Sequence, residues 1–350
     1  MACVEPGTVS SPERDIKAVL DESGPDYETF TFERPTAGHQ GEVFLVTLRY
    51  AGQEYEVVVK FQAGDPDFAL EPFLHEYVAD RTDIPVPRIL VFEEEPELDI
   101  DAYFVTERIS GENLAESIGE LDETTRERVI KHAGHILGDM HARIGFEGFG
   151  RLALDDDDGR LVVEEFSWDW QQFFHDMAEG YVDRFEGTPF EDLQDEARDA
   201  LDASIHVVDT DAVPRLVHDD FRPANMLFDA AASQPITAVL DWQFALAADP
   251  EYHIARTDFL FIDPAFQDAE TRDRLRNHLY NGYREYREFE PDEGYKKRRA
   301  VYYFATLLWR MAGFEAAFAD FSELAKGRAE ARFRQQFDQL ASALPTEDEE

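Results

Sequence analysis

One cysteine, six lysines and no apolar run of 18 residues mark what this 350-residue chain has little of. The lone Cys3 excludes an internal disulfide framework and any cysteine-based zinc cluster. Without a long apolar run there is no candidate membrane-spanning helix, and the opening MACVEPGTVSSPERD lacks the apolar core of a secretory signal. A cytoplasmic address is therefore expected. Positive charge is scarce too: 33 Lys and Arg stand against 76 Asp and Glu, a net charge of -43. Such a field repels nucleic acid and anionic lipid, so neither a nucleic-acid nor a membrane partner is expected.

The acidic excess runs along the whole chain and is read as salt adaptation, a halophilic surface, in preference to a patch for a cationic partner. In molar salt the Debye length shrinks to about 3 Å and self-repulsion is screened. Hydrophobic residues at 43% and aromatics at 13% supply ample core. A length of 350 residues exceeds what one core organises, which predicts two lobes.

Hydrophobic period divides the chain. Residues 28 to 61 read as strands (ETFTFERP, GEVFLVTLRY, a Gly52 turn, QEYEVVVKF), and residues 69 to 80 as a helix with Leu70, Phe73, Leu74, Tyr77 and Val78 on one face. RILVFEEE and AYFVTERI supply two more strands. The first hundred or so residues thus predict a small sheet carrying one helix. After Gly111 the pattern turns mainly helical: about Thr125 to His141, a helix beginning near Ser167, a third from about Phe190 to Val207, and others beyond residue 265, the last carrying Tyr303, Leu307 and Arg310. The Asp155 to Asp158 run reads as an exposed turn, since it lacks the alternating ligand spacing of a calcium loop. His132 and His135 share a helix face, but no carboxylate completes a metal set there.

The chemistry concentrates in Leu216 to Asp229, which contains His218, Asp220 and Asn225, and in the following Ala238-Val239-Leu240-Asp241-Trp242. Short apolar strands flanking a polar loop would bring Asp220, Asn225 and Asp241 to one sheet edge. Three oxygen-bearing side chains there suit a hard cation such as magnesium. Dividing Asp220 and Asp241 between proton acceptance and metal binding is the arrangement phosphoryl transfer requires.

His218-x-Asp220-x4-Asn225 followed by Asp241-Trp242-Gln243 and Ala248-Asp249-Pro250 resembles the motifs of the aminoglycoside phosphotransferase and choline kinase superfamily. These are small-molecule kinases with the protein-kinase fold. The resemblance covers about residues 30 to 310. It implies an α+β bilobal fold: an N-terminal antiparallel sheet with one helix, residues 1 to 108, binding the nucleotide, and a mainly helical lobe, residues 109 to 350, with a helical insertion at about 144 to 214. It implies ATP and Mg2+ as cofactors and a small-molecule hydroxyl as acceptor. Asp220 would take the hydroxyl proton, Asn225 and Asp241 would hold the metal, and His218 would brace the loop. Arg222 would either neutralise charge on the transferring group or pair with Asp219 or Asp229.

In the first lobe, period-2 alternation puts Val58 on the face of Lys60. By the family pattern these are an adenine contact and a phosphate-binding lysine. Glu76 is the expected partner of Lys60, with Glu71 the alternative. Gly38 and Gly41 stand where a phosphate loop belongs, though a hairpin turn explains them equally. The main chain of residues 107 to 109, bounded by Glu107 and Ile109, would bond the adenine edge. Asp249 follows Asp241 within eight residues, too few for the segment on which protein substrates dock. The aromatics Trp168, Trp170, Phe173, Phe174 and Tyr181 in the insertion either help line the acceptor pocket or pack helices together. Asp219 and His253 depart from the family pattern, where Gly and Asp are common. Two rival readings stand beside the kinase: a catalytically silent nucleotide-binding regulator of the same fold, and an atypical protein kinase.

Overall fold

Alternating apolar residues in Glu42–Tyr50 (β2) and Gln53–Phe61 (β3) pair in an antiparallel hairpin closed by Ala51 and Gly52, both at positive φ (50° and 76°). That turn geometry matches the strand twist. The computed structural model describes residues 11–23, 26–35, 42–62, 67–97, 100–155, 158–208, 211–262 and 268–346. With β1 (Thr29–Glu33), β4 (Ile89–Glu93) and β5 (Tyr103–Glu107) the hairpin forms a five-stranded antiparallel sheet of order β1-β2-β3-β5-β4. The period of two sorts its faces. Val59, Phe61, Tyr103 and Val105 pack with Phe44 and Val46 under α1 (Pro12–Ser23), whose Ile16, Val19 and Leu20 close that core. Lys60 and Phe104, on the alternate positions, lie close together, the Lys60 Nζ 5.9 Å from the Phe104 ring centre. The sheet carries a second helix, α2 (Leu70–Ala79), so the expectation of one helix in this lobe is corrected. The short α1 signal, three buried apolar residues, had escaped notice.

The chain leaves the sheet after Glu107 and crosses at Gly111, whose φ of 153° and close Thr237, Phe228 and Leu227 neighbours leave no space for a side chain. β6 (Glu112–Asn113) and α3 (Leu114–Ser117) follow, then α4 (Glu123–Arg143), capped by the Asp122 side chain. α4 crosses α8 (Ala269–Tyr283) at backbone contact. A Cβ on Gly134 would meet the Leu279 carbonyl at 1.9 Å, and one on Gly282 the Lys131 carbonyl at 1.9 Å. Larger residues would force these helices apart.

The stretch expected as a helical insertion begins instead with a hairpin, β7 (Phe149–Leu154) and β8 (Leu161–Ser167), whose turn includes Asp155 and Asp158. Helices α5 (Trp170–Asp183) and α6 (Gln194–Ser204) then appear. β9 (Arg215–Val217), β10 (Met226–Phe228), β11 (Ile236–Val239) and β12 (Leu246–Ala248) are short strands. β10 pairs with β11 and β6, and β12 joins β7 to β9. α7 (Pro250–Phe261), α8 and α9 (Glu293–Ala312) complete the framework. α9 carries Tyr303, Leu307 and Arg310 but is not the last helix. α10 (Phe314–Ala317) and α11 (Glu323–Ala341) follow and seat Phe333 and Phe337 in the core. Trp170, Phe173, Phe174 and Tyr181 of α5 are buried in the same core, which favours packing over pocket lining for these four, whereas Trp168 is exposed.

Candidate active site

The segment from β9 to β11 places the polar loop. His218 follows β9, and its ring Nε2 lies 2.9 Å from the Leu240 carbonyl. A carbonyl only accepts, so Nε2 carries the proton. This bond ties the start of the loop to the residue before Asp241. Burial pushes the His218 pKa down, so the ring is a neutral brace.

Asp219 adopts φ 57°, a left-handed conformation that costs a non-glycine residue about 1–3 kcal/mol. The chain offsets it with partners that a glycine would lack. Tyr252 Oη donates to Asp219 Oδ1 at 2.6 Å, and Arg256 Nε donates to the Asp219 carbonyl at 2.5 Å and lies 3.2 Å from Oδ1. Both partners are on α7 and fully buried. Burial opposes the Arg256 charge most, but Asp219, Tyr252, Tyr181 and Asp220 together outweigh it and raise the pKa. Sequence reading noted Asp219 and His253 as departures but missed Tyr252 and Arg256, which the one-turn spacing on α7 signalled. His253 itself meets Phe221 edge to face and bonds His141, ring nitrogens 3.0 Å apart.

The turn at Asp219 delivers Asp220, which is buried. Asn225, at the end of a 3-10 turn begun by Pro223, donates through Nδ2 to the Asp220 carbonyl at 3.0 Å and to Oδ2 at 2.8 Å. Asp220 Oδ1 accepts no hydrogen bond. Arg222 Nε lies 2.7 Å from that oxygen, at ion-pair distance without hydrogen-bond alignment. The ion partner of Arg222 is thus Asp220, not Asp219 or Asp229, the pairs weighed beside a role on the transferring group. Burial raises the Asp220 pKa, with Arg222 and His218 acting against it.

Strand pairing brings the second carboxylate beside this loop. Met226 pairs with Val239, and the Leu240 amide donates to the Asn225 carbonyl at 2.9 Å. Asp241 follows at φ 66°, another left-handed aspartate. Its Oδ1 lies 3.1 Å from Lys60 Nζ, which joins the two lobes. Lys60 is buried and also pairs with Glu71 Oε2 at 2.5 Å. The structure therefore corrects the expectation of Glu76, which is exposed on α2. Burial works against the Lys60 charge, but Glu71 and Asp241 together raise its pKa. His75, whose Nδ1 lies 2.9 Å from the Pro87 carbonyl, is pushed down to about 4 by burial and adds no competing charge beside Glu71.

A magnesium ion calls for hard oxygen donors. Asn225 uses only its amide nitrogen within the loop, so its Oδ1 is available, and the Asp241 carboxylate is about one-third exposed. The donor set fits such a cation. Val58 and Ile109 are half-buried beside the crossing between lobes. Glu107 accepts the Arg88 amide through its carboxylate and bonds the Arg88 carbonyl through its own amide. Gly38 and Gly41 lie outside the described residues. His132 accepts the Ile236 amide through Nδ1, and His135 bonds Glu285. Among the described residues no group of three or more His, Cys, Asp or Glu is arranged to hold a metal, and no helix is long and apolar enough to cross a membrane.

Residues 31–289 match the family model described as the phosphotransferase enzyme family. Hygromycin-B 4-O-kinase of Escherichia coli is 26% identical over 227 residues, 63% of this chain; the match spans 61% of that relative's length. Among solved structures, a candidate aminoglycoside phosphotransferase of Ralstonia eutropha superposes with a TM-score of 0.61 at 17% identity, covering 95% of this chain and 99% of the other. A spectinomycin phosphotransferase in complex with ADP and spectinomycin gives 0.54 at 15% identity, covering 96% and 99%. The fold is that of the protein-kinase-like phosphotransferases.

Proposed function

The chain belongs to the phosphotransferase enzyme family, and from that premise we propose that it moves the γ-phosphoryl group of ATP to a hydroxyl of a small molecule, with Asp220 as the base. The observation that carries the proposal is the division of the Asp220 carboxylate. Asn225 holds Oδ2, while Oδ1, buried beside Arg222 Nε at 2.7 Å, accepts no hydrogen bond and keeps a lone pair for an incoming hydroxyl.

In this account the nucleotide lies between the lobe of residues 1–108 and the lobe from residue 109 onward. Val58 contacts the adenine, the main chain from Glu107 to Ile109 bonds its edge, and Lys60, held by Glu71, meets the phosphates. Asn225 and Asp241 would hold magnesium, which supplies charge screening to the phosphates. Asp220 Oδ1 takes the acceptor proton as the acceptor oxygen forms its bond to the γ-phosphorus. The bond from that phosphorus to the bridging oxygen breaks, ADP leaves with the electron pair, and Asp220 later returns its proton to water. Arg222, beside Asp220, would stabilise charge on the transferring group. The Asp219 clamp by Tyr252 and Arg256 keeps the loop in register.

A small acceptor fits the short span after Asp241. One 3-10 turn and β12 lead directly to Asp249 and α7, leaving no long segment on which a polypeptide would dock. ATP consumption with Mg2+, measured across a panel of small hydroxyl compounds and of polypeptides, tests the reading. Stimulation by small alcohols is expected. Stimulation by polypeptides alone, or nucleotide binding without turnover on any compound, would overturn it.

A further inference from the structure

Two arginines serve the catalytic loop, and they are held in opposite ways. Arg256 is fully buried, and its Nε donates to the Asp219 carbonyl. Arg222 has a fixed main chain, because Pro223 follows it and its carbonyl accepts the Asn225 amide at 3.0 Å. Its side chain is loose by comparison: 44% exposed, with an Nε that makes no hydrogen bond. That Nε lies 2.7 Å from Asp220 Oδ1, and Oδ1 is buried without a hydrogen bond. The base is therefore covered by a cation that is not locked in place.

An acceptor hydroxyl has to reach Oδ1 before Asp220 can take its proton. The other carboxylate oxygen is committed to Asn225 Nδ2 at 2.8 Å, and the same nitrogen ties the Asp220 carbonyl at 3.0 Å. Asp220 is thus held by side chain and main chain together, and the group that can give way is Arg222. A half-exposed guanidinium without an aligned hydrogen bond leaves its carboxylate at small cost when another anion offers it paired oxygens. The terminal phosphoryl group of ATP is such an anion, and transfer requires it to stand against the acceptor oxygen, which in turn meets Asp220. The hydroxyl then replaces the cation as the partner of Oδ1, so the buried carboxylate is not left bare.

Resting on the kinase reading above, we propose that Arg222 is a shutter on the base: it covers Asp220 Oδ1 until the γ-phosphoryl group of ATP draws it away, so that the acceptor hydroxyl binds well only to the ATP-loaded protein. ADP lacks the group that draws Arg222 off and leaves the base covered. Acceptor and phosphoryl donor are then coupled in binding, each raising the affinity of the other by the same factor. A protein with nothing to transfer does not hold the acceptor.

The test is calorimetric titration of the best acceptor of the small-hydroxyl panel into the full chain in three states: without nucleotide, with Mg-ADP, and with the Mg complex of the β,γ-imido analogue of ATP. Wild type should bind the acceptor about tenfold or more tighter in the analogue complex than in the other two states, as one charge-assisted contact supplies. Arg222→Met and Arg222→Gln should bind it equally in all three states, with the nucleotide-free affinity risen toward that of the wild-type analogue complex, while Arg222→Lys keeps part of the ratio. Melting temperatures identify which variants are folded, and either neutral variant decides the matter. Equal wild-type affinity in the three states would overturn the proposal and leave the kinase reading intact. So would an ADP complex that binds the acceptor as tightly as the analogue complex, or a ratio that persists in the folded neutral variants. No ATP consumption with any compound of the panel would remove both.

Discussion

Glu71 and Glu76 lie five positions apart on α2, about 140° around the helix, so only one of them can meet Lys60. Lys60 sits 2.5 Å from Glu71, with both side chains buried, while Glu76 faces outward. Removing one member of a buried pair leaves the other charge uncompensated at a cost of about 3–5 kcal/mol. Glu71→Gln is therefore expected to lower stability and weaken productive ATP use together, whereas Glu76→Gln should leave both near the parent values. Thermal unfolding and the KM for ATP read out the comparison, and a larger effect from Glu76→Gln would contradict the pairing. Most of the catalytic loop could be read from the chain because its residues are close in sequence: His218, Asp220 and Asn225 fall within eight positions. The Lys60 partner could not, because the helix pattern identified an apolar face without saying how that face turns against the sheet. The ion partner of Arg222 was hidden for a related reason. Its ion partner is the carboxylate two residues back, and three aspartates stood within reach in sequence.

Among the elements, the long α4 and the sparse α11 mark the two ends of what sequence periodicity could reveal. α4 buries eleven residues, whereas α11 buries only Phe333 and Phe337 across nineteen, a signal too sparse to read. Part of the acidic excess has work at helix starts, where Asp122, Asp169, Asp249, Asp268 and Asp292 each accept an amide of the first turn. Each such cap contributes about 1 kcal/mol. Asp249 is the buried one, accepting from the Glu251 amide at 3.0 Å and from Tyr302 Oη at 2.7 Å. Burial pushes its pKa up to about 7 from 3.8, with Glu251 adding to the rise. The folded protein thus keeps a proton that the unfolded chain releases. The stability this supplies is fully present below about pH 4 and is lost as pH rises through about 7. Asp249→Asn should flatten the stability profile across that window while preserving the cap. Chemical denaturation at a series of pH values tests this, and an unchanged slope would contradict it.

For the molecule as a whole, a net charge of -43 is spread over both lobes, and only a few acids, such as Glu71, Asp220 and Asp241, are committed to the site. The remainder repel one another, and the proposed salt adaptation predicts a steep gain in stability with ionic strength. Melting temperature should rise between about 0.1 M and 2 M potassium chloride, a range over which screening shortens from about 10 Å to below 3 Å. Equal melting temperatures across the series would remove the proposal. The central claim concerns Asp220, and single-turnover transfer from Mg-ATP to the best acceptor of the panel, wild type against Asp220→Asn, tests it most directly. The account predicts retained nucleotide binding and a transfer rate lowered by about 100- to 10,000-fold in the variant; an unchanged rate would contradict it.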